Sequence, residues 1–192
     1  YEGSSRFGDN HKWGTFPAVS LGWRISREPW LKDAKWLNEL KLRAGFGITG
    51  NQEIGNYRSL SILRKGSSNF YYNKKWISTY EPGSNPNPDL RWEKKKEFNV
   101  GLDMSVLDNR LNVTVDYYNR RTKDLLYTYT VPVPPNLYPS KFANVGTIDN
   151  KGIEVTVNAT PISRKNFSWN LAATISHNKN NLVKFSNEDY EM

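Results

Sequence analysis

Asp103 and Asp116 raise the first chemical question. They stand in neighbouring segments of alternating apolar and polar residues, 98–106 and 111–118, separated by Leu107, Asp108, Asn109 and Arg110. If the two segments fold back as a hairpin, Val106 must face Leu111 to keep the apolar residues on one side. That register sets Asp103 opposite Thr114 and Asp116 opposite Gly101, so the carboxylates are diagonal neighbours at ~7–8 Å. The spacing overlaps the ~6.5–9.5 Å between acid and base in inverting glycosidases, and a glycoside hydrolase is therefore one reading. The rest of the catalytic vocabulary is thin. The chain has no Cys, which excludes thiol nucleophiles, disulfides and thiolate metal sites. His11 and His177 are far apart and lack companions at ligand spacing. No G-x-S-x-G elbow, P-loop or H-E-x-x-H occurs. Acids are common on a polar strand face, so the expectation is a protein that is not an enzyme and needs no metal or cofactor.

Binding chemistry is better represented. Sugars are recognised by aromatic faces against their apolar edges and by amides and charged groups at their hydroxyls. Candidate ligand-binding residues of that kind are Asn51, Gln52, Trp76 and Tyr80, all in or beside one long connecting segment. The step Gly50-Asn51-Gln52 also reads simply as a strand end turning into a loop. Twenty-seven basic residues against 19 acidic ones give a net charge of +8. The basic residues are scattered apart from Lys94-Lys95-Lys96. No RNP aromatics, GXXG loop or basic helix is present, so no nucleic-acid partner is expected.

These residues are carried by elements with a period of two. Leu40, Leu42, Ala44, Phe46 and Ile48 share one face, against Lys41, Arg43, Gly45, Gly47 and Thr49. The same alternation predicts strands over 18–25, 98–106, 111–118, 153–159 and 167–176, with weaker candidates at 58–63 and 125–131. None of the apolar faces of the six strong segments carries a charge. Ser26 to Leu40 breaks the pattern, and Pro29 with Trp30, Ala34 and Leu37 predicts one or two helical turns there. Short links are expected at Leu107–Arg110 and Pro161–Asn166, and long ones over 50–96 and 119–151.

The alternation fits either a soluble β-sandwich, here one that binds carbohydrate, or a membrane β-barrel. The chain is 14% aromatic, too rich for disorder. Its mean hydropathy of −0.74 leaves no run long enough for a membrane helix. Strand length favours the barrel. Ten residues at ~3.3 Å, tilted ~45°, rise roughly 23 Å, close to the ~25 Å apolar band of outer-membrane barrels. Sandwich strands are nearer ~5–6 residues. Alternating short and long connections, and aromatics such as Trp23, Trp92, Phe98, Tyr117, Phe167 and Trp169 near strand ends, point the same way.

Several stretches then carry a family resemblance: GSSRFG at Gly3, WGTFPAVSLGWRIS from Trp13, LKLRAGFGITGNQ from Leu40, NPDLRWEKKKEFNVGLDMSVLDNRLNVTVDYYNRRTKDLL from Asn87 and NVGTIDNKGIEVTV from Asn144. In this order they cover most of the chain, which resembles the C-terminal barrel region of SusC/RagA-type TonB-linked outer-membrane transporters of Bacteroidetes. The resemblance implies an all-β fold, with residues 1–192 forming antiparallel strands of a 22-stranded barrel with long outer loops and short periplasmic turns. It implies a bacterial outer-membrane location and import of oligosaccharides or peptides. The implied partners are a SusD-type surface lipoprotein lid, outer-membrane lipid, and TonB acting through an N-terminal region. Tyr1 with no leader after it reads as a processed or truncated piece, and no plug domain is recognisable in the chain.

Overall fold

The computed structural model describes residues 1–31 and 33–185. In chain order its strands are β1 (Glu2–Gly3), β2 (Trp13–Gly14), β3 (Ala18–Arg24), β4 (Leu37–Asn51), β5 (Leu63–Tyr72), β6 (Lys75–Pro82), β7 (Glu93–Val106), β8 (Leu111–Lys123), β9 (Leu126–Thr130), β10 (Ser140–Asn144), β11 (Thr147–Arg164) and β12 (Phe167–Lys184). Six of them form one antiparallel sheet in the order β12-β11-β8-β7-β4-β3. The pairs β5–β6 and β9–β10 are separate hairpins within the two long connections, and β1–β2 is a minimal ladder. All long connections leave one end of the sheet, called here the loop end. Tight links occupy the other, the turn end.

Register shows what shapes this sheet. Trp23, Leu42, Leu102, Val115, Val155 and Ile175 lie in one continuous row across all six strands. The row on its turn-end side is equally apolar, with Leu40, Met104, Val113, Val157 and Ala173, and the row on its loop-end side is apolar until it reaches His177 on β12. Among the described residues no second layer covers this face. Phe46, Leu102 and Leu171, which a soluble sandwich would bury, are 42%, 36% and 46% exposed. The carbohydrate-binding sandwich is therefore excluded by the geometry of the sheet.

The apolar band crosses the rows obliquely. Ile48, the last apolar outward residue on β4 toward the loop end, shares a row with Asn181 of β12. The apolar run of β12 stops six residues earlier, at Ile175. At the turn end Leu40 shares a row with Ala173, and the run of β12 begins six residues before that, at Phe167. Both edges of the band thus step by the same amount. Six residues at ~3.3 Å cover ~20 Å, against ~19 Å for four strand spacings, which gives a tilt of about 45°. Transmembrane barrel strands tilt by ~35–45°. A planar slab of hydrocarbon meeting tilted strands produces this oblique band.

Strands outrun their expected limits because backbone pairing continues where the apolar pattern ends. β11 and β12 each reach 18 residues. The hairpin turn Leu107–Arg110 is as expected, with Val106 opposite Leu111. Its Leu107, Asp108 and Asn109 have φ of 56°, 54° and 63°. Asp and Asn tolerate that region, and Asn38 Oδ1 accepts the Asn109 N–H at 3.1 Å. The link at Pro161–Asn166 differs from expectation: β11 continues to Arg164. Pro161 sits at a bulge just past the end of the β8 pairing, where a missing N–H costs little. The expected helical turns over 26–40 reduce to a 3₁₀ turn at Ile25–Arg27 and three successive i→i+3 turns ending at Leu37. The candidate strand at 58–63 is a turn and bend that leads into β5 only at Leu63, whereas 125–131 contains β9.

The buried core lies at the loop end and not in the wall. Phe7, Ile54, Leu90 and Trp92 cluster there, with Phe16, Leu126 and Phe142 against them. Trp92 meets Phe7 and Phe16 at 5.0 Å between ring centres. This cluster gathers the N-terminal segment, both long connections and the start of β7.

Replacing Leu102 by Arg in the membrane-embedded barrel is expected to lower its folding free energy by ~2–4 kcal/mol, because Leu102 lies mid-band on the lipid face. Thr156→Arg, on the opposite face, is expected to cost less than ~1 kcal/mol. Urea-dependent refolding into bilayers measures both, and equal costs would contradict the assignment of faces.

Candidate functional site

The polar face of the sheet carries Gly, Ser, Thr, Asn and a set of charges held in place. Arg43 on β4 makes a two-pronged pair with Asp103 on β7, Nε–Oδ2 at 2.7 Å and Nη2–Oδ1 at 2.9 Å. The same Nη2 donates to Asp116 Oδ1 on β8 at 2.9 Å. Thr114 Oγ1 adds a bond to Asp103 at 3.4 Å. Gly101 makes this possible: a Cβ there would stand 2.4 Å from Asp116 Oδ1 and 2.6 Å from Arg43 Nη2. The expected diagonal placement of Asp103 and Asp116 is present, since Asp116 faces Gly101 and Asp103 faces Thr114. The space between the carboxylates, which a hydrolase would need for water, is filled by a guanidinium. The cluster is a cross-strand tie over three strands.

Nearer the loop end, Arg120 and Lys95 both reach Glu97, at 3.0 and 3.7 Å. Arg120 also lies over the Tyr118 ring, 4.2 Å from its centre. Tyr118 is buried against Gly152, its direct cross-strand partner. Outside the wall, Lys12 hydrogen-bonds Asp9 at 2.6 Å and holds its carboxyl below the ordinary range. His11 and His177 lie on separate segments, and among the described residues no three His, Asp or Glu side chains converge as metal ligands.

A second arrangement fastens the two long connections together. Asn85 donates to the carbonyls of Tyr138 (2.5 Å) and Ser140 (2.9 Å) and accepts from the N–H groups of Leu137 and Tyr138. Asn87 donates to Phe142 O at 2.9 Å. From the other side, Asn144 donates to Arg91 O (2.7 Å) and Asp124 O (2.9 Å) and accepts from Arg91 N. All three amides are buried. Each of Asn85 and Asn87 precedes a proline, which keeps it extended, so the two side chains project in the same direction. These residues were not among the sequence candidates. The available signal was the repeated Asn-Pro step in a polar segment, too short to show periodicity.

The four candidate ligand residues divide into two places. Asn51 closes β4: its Oδ1 accepts the Glu53 N–H at 2.9 Å, and its Nδ2 approaches Glu93 Oε1 at 3.5 Å. The Gln52 carbonyl accepts from Arg6 at 3.1 Å. Trp76 and Tyr80 are instead on β6, where alternation puts them on one face of the β5–β6 hairpin with Ser78. Register adds Tyr71, opposite Trp76, and Asn69, opposite Ser78. Tyr71 and Trp76 pack tilted with ring centres 5.1 Å apart. Trp76 and Tyr80 are 71% and 69% exposed, so this aromatic and amide face is open.

Two outcomes follow. Asn144→Ala is expected to cost ~2–3 kcal/mol, since it strips partners from buried backbone groups of Arg91 and Asp124. Amide exchange should then accelerate across β9 and β10 while the wall ladder stays protected. Arg43→Met is expected to cost ~1–2 kcal/mol, and adding Asp103→Asn should cost less than the two changes summed. Additive costs in such a cycle would show that the tie is not a unit.

Comparison with known proteins places this geometry. Residues 1–191 match the family described as TonB dependent receptor-like, beta-barrel. The chain is 42% identical over 189 residues to TonB-dependent receptor P39 of Formosa agariphila, covering 98% of the chain and 18% of that protein. It is 39% identical over 192 residues to TonB-dependent receptor SusC of Bacteroides thetaiotaomicron, covering 98% and 19%. Among solved structures, the RagAB peptide importer in its closed-closed state superposes with a TM-score of 0.85 at 30% identity, over 97% of this chain and 20% of that one. The chain thus spans about a fifth of the length of these relatives. The loop end faces the cell exterior and the turn end the periplasm, as in barrels of this kind. The oblique apolar band, the antiparallel ladder and the matches agree: the chain belongs to the TonB-dependent receptor-like β-barrel family and forms a section of outer-membrane barrel wall.

Proposed function

We propose that this section belongs to a TonB-dependent importer that takes up oligosaccharides, with the exposed face of the β5–β6 hairpin as a cargo contact. The carrying observation is Trp76, Tyr80 and Tyr71 on one open face beside Asn69 and Ser78, held at the mouth of the barrel. Flat rings can cover the apolar faces of sugar rings while amide and hydroxyl groups meet their hydroxyls. Asn51 and Gln52 line the base of the same connection and serve as secondary contacts. A peptide is the second reading, favoured by the likeness to the RagAB peptide importer.

In this reading a SusD-type lipoprotein covers the mouth and rests on the outer loops. The asparagine ties between the two long connections support that role, because a lid needs a surface of fixed shape. The wall residues 1–192 belong to the C-terminal part of the barrel. A plug domain and a TonB-contacting segment belong to the rest of such a protein, and energy for import enters through them. The three-strand tie at Arg43 keeps the lumen wall rigid and performs no bond-breaking chemistry.

Trp76→Ala and Tyr80→Ala in the full-length receptor are each expected to weaken oligosaccharide binding roughly tenfold, as loss of one stacked ring would. Trp30→Ala, at the turn end, should leave binding unchanged. Isothermal titration with a set of oligosaccharides and peptides reads this directly. Wild-type affinity in both hairpin variants would remove the hairpin from the cargo site.

A further inference from the structure

The lipid-facing side does not end in neutral residues at the loop end. Above the apolar band the outward positions include Lys94 and Lys96 on β7, Arg121 and Lys123 on β8, Lys151 on β11 and Lys179 on β12, interspersed with Asn119, Asp149, His177 and Asn181. All six cations are exposed. They stand in the same alternation as Phe98, Tyr117, Ile153 and Ile175, so they point away from the lumen. Their pairing is unusual. Lys94 faces Lys123, Lys96 faces Arg121, and Lys151 faces Lys179 directly across the ladder. Like charges placed directly opposite one another destabilise a sheet. On the lumen side the equivalent charges are compensated, with Arg43 bound to Asp103 and Asp116, and Arg120 to Glu97. Among the described residues only Arg121 on the outward side has an anion, Asp149 at 2.5 Å. Among the described residues the five lysines join no ion pair.

A shallow cleft of about 320 Å³ lies in this zone, where Phe46 and Phe98 meet Lys96, Arg121 and Asn119 beside the carboxylates of Glu97 and Asp149. Its two rings mark the top of the apolar band and its cations the level just above. A ligand matching both parts has acyl chains below and phosphate above.

We propose that this outward basic rim binds the phosphate groups of an anionic glycolipid in the outer leaflet, whose acyl chains lie along the band. The bound phosphates supply negative charge to the facing pairs Lys94–Lys123 and Lys151–Lys179, and to Lys96, whose facing Arg121 already holds Asp149. The rim therefore fixes the height of the barrel in the membrane and carries a ring of ordered lipid beneath the loops.

The test uses the full-length receptor in vesicles of phosphatidylethanolamine containing either diphosphorylated lipid A or the same lipid A stripped of its phosphates. Lipid retained after extraction is counted by native mass spectrometry. The wild type is expected to retain the phosphorylated form at least about tenfold better, since each surface cation adds to attraction. Changing Lys96, Lys123, Lys151 and Lys179 together to Gln should abolish the preference, and changing all four to Arg should keep it. Heat-modifiable gel migration reports whether each barrel is folded. Equal retention of both lipids by the wild type, or an unaltered preference in a folded Gln variant, would overturn the proposal. So would displacement of the lipid by millimolar inorganic phosphate, which would mark a site for the free anion. If the Gln variant does not fold, the two-lipid comparison on the wild type still decides.

Discussion

Hydrocarbon offers no partner to a peptide N–H or C=O, and this wall is organised around that fact. Within the apolar band the backbone of β11, β8, β7 and β4 pairs on both sides, and the ladder β12-β11-β8-β7-β4-β3 is the result; the outer edges of β3 and β12 are where further strands of the wall would join. Once pairing is obligatory, alternate side chains must point to opposite sides, and the two sides meet different solvents. One side needs Leu, Val, Ile and aromatics. The other can hold Arg43, Asp103 and Asp116, because they look into a wet lumen. Strand tilt and the obliquity of the band are the same fact seen from the backbone and from the side chains.

Stability is distributed unlike that of a soluble domain. Hydrophobic side chains in the wall gain their stabilisation from lipid, and few of them pack against other protein. What resembles a protein core is displaced to the loop end, where water returns and Phe7, Ile54, Leu90 and Trp92 must bury one another. There the backbone of irregular segments needs partners, and Asn85, Asn87 and Asn144 supply them. An amide is suited to this work because it donates and accepts at once. On the lumen face, ion pairs replace packing as the link between strands, and Gly101 gives the Arg43 guanidinium room to reach a third strand.

The wall strands were legible because lipid on one side imposes a period of two over many residues. The link Leu107–Arg110 was legible for the same reason, since parity leaves no other register. Strand ends were not: the lipid signal stops at the interface, while hydrogen bonding carries β7 back to Glu93 and β12 on to Lys184. The hairpin β5–β6 was missed because both its faces are wet, and a bulge between Lys65 and Asn69 breaks the alternation. Helical turns were expected after Arg24 from the spacing of Trp30, Ala34 and Leu37. The short span between two strands settles instead into consecutive tight turns. Asp103 and Asp116 were rightly placed relative to each other, but their shared partner Arg43 lies 60 and 73 residues away, across an inserted connection. Trp76 and Tyr80 fell on one surface because they are four apart on a strand, a relation visible only once β6 is known to exist.

Length is the feature of β11 and β12 with the widest effect. Eighteen residues tilted by about 45° climb roughly 40 Å, some 15 Å beyond the hydrocarbon slab. The excess carries the paired strands through the headgroup level, where Lys151 and Lys179 stand, and forms a low palisade above it. A solute arriving from outside would meet this parapet of paired strands before it met the acyl chains.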